Sequence, residues 1–320
     1  MKRQRGVALI TAMLVVAIAT IMAVQLMGRQ LYDIRRTQNI LERDQSYSYA
    51  LAAEAWAREI LIATRRDEDD AVDHLNEPWA QPITPPAFEG VELAIQLEDL
   101  QGRLNINNLI TLEGQDNEAE MARFQRLLEH LQMDGSLLPA VMDWLDLDVE
   151  ERFPGGAEDD FYTRLETPYR PANQPMASIS ELRLIRDVDD QAYRQLAPVL
   201  TALPAFTPIN VNTASARALR TIADGLSEAE VQALIEAVPD EGYASVEEFL
   251  QAGVLAGREV PEQGLSVGSN WFLLRVEVRL GRTALRTESV IYRGDAGNSR
   301  TILRRQGFLD HQPIGRASND

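Results

Sequence analysis

The sequence runs to 320 residues, with 31 Lys and Arg against 49 Asp and Glu, a formal charge of −18. That background repels a polyanion, which argues against a nucleic-acid surface. Apolar residues make up 45%, enough for one large or two modest cores. The absence of cysteine removes disulfides, thiolate zinc sites, iron–sulfur clusters and Cys nucleophiles together.

The first predicted element is apolar. From Val7 to Met27 there is no charge, and only Thr11, Thr20 and Gln25 are polar. As a helix this stretch spans roughly 30 Å, the thickness of a hydrocarbon core. Lys2, Arg3 and Arg5 precede it and set a cytoplasmic N-terminus, against the weaker pull of Arg29, Arg35 and Arg36 beyond it. A secretory signal would end its apolar region at a small-x-small site. Ala17 and Ala19 offer such a match, but apolar sequence continues past them. Two readings stay open on the residues alone: a plain single-pass anchor, or a helix kept after a cut that follows Gly6.

"RGVALITAMLVVAIATIMAV" resembles the N-terminus of type IV pilin-like proteins, and most closely that of the K-type minor pseudopilins of the bacterial type II secretion system. The resemblance implies that residues 1–6 are a basic leader, removed after Gly6 by a prepilin peptidase, and that Val7 is then methylated. Pilins usually carry Glu at the fifth mature position, where this chain has Thr11. In filaments that carboxylate is thought to neutralise the terminal amine of the next subunit, and without an amine it would be costly in an apolar bundle. A tip subunit has no neighbour ahead, and K-type members characteristically lack the Glu. The family further implies a bacterial inner-membrane anchor with a periplasmic head, I- and J-type minor pseudopilins as partners, and a function in capping or initiating the pseudopilus tip.

No proline interrupts the chain from Val7 to Glu77, and "ALAAEAWAREILIA" is rich in helix formers. One helix from Val7 to about Ala63 would reach roughly 85 Å, with Gly28 as a candidate bend. Pro78, Pro82, Pro85 and Pro86 then mark a loop. "VELAIQLED", "WFLLRVEVRL" and "TALRTESVIY" alternate as strands, and Gly281-Arg282 suits a type II′ turn between the last two. Between them lies helical sequence. "EAEMARFQRLLEHLQ" is amphipathic, and Ser178/Glu181, Ser227/Glu230 and Ser245/Glu248 have capping-box spacing.

The expected fold is therefore α+β: a long N-terminal transmembrane and amphipathic helix on a small antiparallel sheet, pilin-like, with a large all-α domain inserted between strands. The boundaries drawn are a leader at 1–6, a membrane or filament helix at 7–27, and the first pilin-like part at 28–108. The inserted domain is placed at 109–262, the C-terminal strands at 263–293 and a disordered tail at 294–320.

"DWLDLDVEERFPGGAEDD" packs eight carboxylates and one base, Arg152, between Asp143 and Asp160. Like charges at that density are either solvated or share a cation, and Ca²⁺ accepts six to eight oxygens from irregular loops. The spacing is not that of an EF-hand, because the sixth position from Asp146 is Glu151 and the twelfth is Ala157. Spacing alone leaves a solvated acidic loop open. The stretch "DWLDLD…GGAEDDFY…PYRPANQP…SISELR" resembles the calcium-binding loop of K-type pseudopilins. The resemblance implies structural calcium held by Asp146, Asp148, Glu158, Asp159 and Asp160, with Glu151 and the Gly156 carbonyl as further candidates.

The stretch "INVNTASARALRTIADGLSEAEVQALIEAV" reads as a helix-hairpin-helix-like unit over 207–253, the architecture of membrane-tethered DNA receptors. Its turn "DGLSEAE" holds one Gly and three carboxylates, and the only bases nearby are Arg217, Arg220 and Arg258, so phosphate binding would lack its main energy term. "RLNINNLI" echoes its N-x-N opening, too briefly to define a repeat. No enzyme is expected. His74, His130 and His311 are scattered, and no H-E-x-x-H, P-loop, G-x-S-x-G or G-x-G-x-x-G occurs.

Overall fold

In the computed structural model, which describes residues 4–65, 72–83, 85, 88–294 and 298–308, α1 (Gln4–Thr64) runs unbroken through Gly28. From Leu9 to Leu41 its large apolar side chains are exposed, Leu14, Met22 and Leu31 among them. Beyond that point the apolar face narrows to Ala50, Ala53, Ala57 and Leu61, at spacings of three and four, and all four are buried against a sheet. The three alanines let helix and sheet approach closely.

The sheet begins with β1 (Val91–Asp99). The chain then leaves it for β2 (Leu104–Asn105), α2 (Glu118–His130), α3 (Leu137–Leu145), α4 (Asp159–Tyr162) and α5 (Asp190–Leu196). After β3 (Leu200–Thr201) and β4 (Ile209–Asn210) come α6 (Ala216–Leu219), α7 (Glu228–Glu236), α8 (Val246–Leu250) and β5 (Leu265–Ser266). It returns as β6 (Trp271–Leu280), β7 (Thr283–Arg293) and β8 (Ser299–Phe308). The strand order is β1-β6-β7-β8, antiparallel throughout. Ile95, Leu97, Phe272, Leu274, Val276, Val278, Leu285 and Ile291 face α1, and Trp79 from the proline-rich loop closes this core edge-on to Phe272. Gly281 has φ 58°, as the turn requires. A Cβ there would lie 2.7 Å from Glu42 Oε1, because Glu42 of α1 accepts the Arg282 N–H.

The three predicted capping serines all cap. Ser178 and Ser227 form full boxes, the first on a 3₁₀ segment (Ile179–Leu184), whereas Glu248 reaches back to the Ala244 amide instead of Ser245.

Two expected boundaries are corrected. The tail expected at 294–320 contains β8, paired along β7. "SRTILRRQGF" hides this because its register shifts by one residue opposite Val290/Ile291, which breaks the alternation, and because it carries three arginines. What holds it is distant in sequence: Glu54 of α1 accepts from Thr301 Oγ1 at 2.7 Å and from Arg304 at 2.6 and 2.8 Å. Residues 309–320 lie outside the described residues. The insertion is also wider than 109–262, since Leu104, Ile106 and Leu265 belong to its core and β2–β3 and β4–β5 are its own parallel ladders.

Those ladders give the N-x-N echo a structural meaning. Asn105 accepts the Asn107 amide at 3.2 Å and Asn210 the Asn212 amide at 3.0 Å, each at the end of a two-residue strand in a parallel pair. The same side-chain turn opens both halves of the inserted domain.

A buried polar joint ties this domain to the sheet. Arg293 donates to both Asp73 oxygens at 2.5 and 2.6 Å, to Ser269 O at 2.7 Å and to Leu61 O at 3.1 Å. Asp73 also accepts the Ser269 amide, and Ser269 Oγ donates to Asp99, which takes Thr213 Oγ1 from the inserted domain.

Candidate metal centre

The acidic loop is built from the end of α3. That helix is apolar nearly all round, with Ala140, Val141, Trp144 and Leu145 buried, and it carries Asp143 into the interior with no exposed surface. Asp143 accepts the Ala157 amide at 2.8 Å and the Arg152 amide at 3.2 Å, so one carboxylate folds the loop back over the helix end. Gly156 is needed for that closeness, because a Cβ would lie 2.2 Å from Asp143 Oδ2. Burial pushes Asp143 up to about 6, against the pull of these two amides.

Among the predicted ligands, Asp146, Asp148 and Glu158 come together, each offering an oxygen within 4.8 Å of the others. Asp146 and Glu158 are 4% and 3% exposed, too buried for a solvated acidic loop. Arg152 holds Asp146 Oδ2 at 2.9 Å and grips Asp116 with both terminal nitrogens. Asp146 Oδ1 and both Glu158 oxygens are buried without a hydrogen-bond donor among the described residues. Burial, reinforced by the charges of Asp143 and Asp146, pushes Glu158 up to about 7. Burial also raises Asp146. Three crowded carboxylates with one Arg leave negative charge uncompensated in a water-poor site.

The other predicted ligands lie outside this cluster. Asp159 and Asp160 sit in the first turn of α4 and pair with Arg170 at 3.6 Å and Arg164 at 3.0 Å. Glu151 is exposed. The Gly156 carbonyl accepts Arg186 Nη1 at 3.0 Å. Sequence reasoning missed Asp116, 36 residues before Arg152, and also Asn173. Asn173 has φ 42°, donates to the Asp148 carbonyl, and leaves its own buried Oδ1 without a donor. The "PANQP" setting, an Asn between prolines, was the one available signal for it.

The unpartnered oxygens of Asp146, Glu158 and Asn173 form an oxygen-only set of hard donors, which fits Ca²⁺ and offers nothing to thiophilic metals. Beside them Trp144, Tyr162 and Tyr169 form an aromatic cluster, Trp144 edge-on to both tyrosines, with centroids 5.2 to 6.5 Å apart.

The other singled-out positions fall as follows. Gly6 and Val7 lie in the first turns of α1, and Thr11 is exposed on it. In the hairpin-like unit Arg220 donates to Leu226 O, and Arg258 to Asp224 O and Glu230. Two of the three arginines nearby are thus spent on the unit's turn, where a phosphate would otherwise need them.

A long helix with an exposed apolar half, a small antiparallel sheet on its other half and an α-helical domain inserted after the first strand define a membrane-anchored, pilin-like subunit. Family models described as "Type II secretion system (T2SS), protein K" match residues 102–205 and 209–268, close to the two halves of the inserted domain. The chain is 36% identical to type II secretion system protein K of Pseudomonas aeruginosa, over 95% of this chain and 93% of that one. It is 32% identical to the Pectobacterium carotovorum subsp. carotovorum protein of the same name, over 95% and 96%. The crystal structure of the GspK-GspI-GspJ complex from the enterotoxigenic Escherichia coli type 2 secretion system superposes with a TM-score of 0.76 at 27% identity, covering 86% of this chain and all of that one. The chain belongs to the type II secretion system protein K family. It is a minor pseudopilin of protein export, anchored in the inner membrane by the apolar part of α1.

Proposed function

We propose that this pseudopilin caps or initiates the pseudopilus tip, in complex with I- and J-type minor pseudopilins and with no catalytic step of its own. The observation that carries the reading is the contrast along α1. Apolar side chains from Leu9 to Leu41 have no cover among the described residues, whereas from Ala50 onward one face of the same helix is buried against the sheet of a head widened by the inserted domain. The lower half suits a bundle of equivalent helices. The head is too broad to repeat within a tight stack but fits at its end. The relative solved with GspI and GspJ supports those partners. On this reading a prepilin peptidase cuts between Gly6 and Val7 and the new terminus is methylated. Intact mass of the membrane-extracted protein tests it: loss of residues 1–6 with one added methyl is expected, and retention of Met1–Gly6 would reduce the chain to a plain anchor.

The acidic centre serves that head as a structural calcium site, held by Asp146, Asp148 and Glu158 with Asn173. Asp159, Asp160, Glu151 and the Gly156 carbonyl are left to an outer position. At a hundredfold excess over its dissociation constant, calcium would add about 2.7 kcal/mol to folding stability. Chelation with EGTA is therefore expected to lower the melting temperature and to expose the chain to proteolysis near Pro154, and Glu158→Gln is expected to abolish the difference. An unchanged melting curve removes the site.

A further inference from the structure

We propose that the free edge of β8 is a docking site for an acidic, extended segment of a neighbouring subunit, which adds to the sheet as a fifth strand. This rests on the reading of the chain as a tip pseudopilin.

The two edges of the sheet are not alike. On the β1 side the proline-rich loop bridges the edge, with Ile83 paired to Ile95. On the β8 side no strand or bridge follows among the described residues, so ten residues present an open ladder. Its polarity follows from the hairpin. A two-residue turn makes Leu280–Thr283 the hydrogen-bonded closing pair, so odd-numbered residues of β7 bond to β6 and even-numbered ones to β8. Leu303 and Arg305 lie opposite Val290 and Glu288 and turn their amides inward. The amides of Arg304 and Gln306 therefore point to the open edge.

Side chains on the face away from α1 specify the guest. Arg103 and Arg275 both pair with Glu98, and Arg275 also with Glu288 at 3.3 Å. The alternation then ends on Arg305, which lies opposite Glu288 in register but has no ion pair among the described residues. Arg305 and Leu303 line a cleft of about 300 Å³ between the sheet and the inserted domain, whose far wall includes Ser178 and Tyr193. A strand added at the edge would aim alternate side chains into this cleft. A carboxylate beside Arg305 continues the charge alternation, and an apolar residue two positions away meets Leu303.

Charge also excludes the other occupants. β8 contains Arg300, Arg304 and Arg305 and no acidic residue, so pairing with a second β8 would set arginine against arginine. Pairing with the β1 edge of a second copy is blocked by Ile83. In residues 309–320 the acidic positions are Asp310, two residues past the strand end, and Asp320 at the terminus. A neighbouring subunit is favoured over exported cargo because the edge continues the lateral surface of α1, with Arg304 reaching Tyr47 and Glu54 on that helix.

The test uses the full chain co-expressed with its I- and J-type partners, with a photo-crosslinking residue at position 302, which is 41% exposed on the strand. A cross-link to a partner subunit is expected. Arg305→Glu should cut its yield about fivefold, the size of one cross-strand ion pair. Gln306→Pro removes only an outward amide and should do the same, without loss of melting temperature in either variant. Cross-links to a second copy or to a secreted protein, or yields unchanged in both variants, overturn the proposal. If the three proteins co-purify yet position 302 captures none of them, the docking idea fails while the tip reading stands. If they do not co-purify at all, the tip reading fails first.

Discussion

Arg293→Met is expected to cost about 3–5 kcal/mol and to unfold the joint between sheet and inserted domain, as a lowered denaturation midpoint reports. Arg293 is 1% exposed, and its guanidinium holds Asp73, Ser269 O and Leu61 O while lying over the Phe272 ring. Removing it leaves the Asp73 carboxylate buried without its counter-charge and the Ser269 carbonyl without a donor, while Leu61 O keeps the Thr64 hydroxyl. Lysine would not substitute, because one ammonium cannot span that fork. The double variant Arg293→Met with Asp73→Leu should cost less than the two single changes summed, by at least about 1 kcal/mol. Strict additivity would mean that the pair does not act as a unit. Recovery stays partial, since Asp73 also accepts the Ser269 amide.

Glu54→Gln is expected to cost about 3 kcal/mol near pH 7 and to release β8. Burial alone would raise this carboxyl. The hydrogen bonds from Arg304, Ser289 and Thr301 outweigh burial and bring it from 4.5 to about 2. A folded-state value below the unfolded one contributes stability that is fully present above about 4.5 and is lost as pH falls toward 2. The stability gap between native protein and variant should therefore be constant from pH 8 to 5 and narrow steadily below that. Amide exchange localised to 299–308 would show which element is set free. A gap still at its full size at pH 3 would mean that Glu54 acts through packing and not through its charge.

Both predictions concern places where the sequence was silent. Local pattern was enough to read α1, β1 and the β6–β7 hairpin, because each carries its own signal: an apolar run, a period of two, a glycine at a turn that needs positive φ. The Ser caps were legible for the same reason, since a cap is decided within four residues. The family resemblance rested on such local stretches too, including Thr11 where pilins have Glu.

Only the tertiary structure decided the rest. β8 has no alternation of its own and becomes a strand because Glu54, some 250 residues away, binds Arg304. Asp143 joins the acidic centre by accepting backbone amides, Asp116 through Arg152, and Asn173 through the Asp148 carbonyl, contacts that composition does not reveal. Of the carboxylates that sequence nominated, charge density marked all alike. Burial chose Asp146 and Glu158, with Asp148 brought beside them, and left Asp159 and Asp160 to surface arginines. The physical reason is one of range. Helix, strand and cap follow from neighbours along the chain, whereas desolvation and ion pairing depend on which distant segments exclude water from the same place.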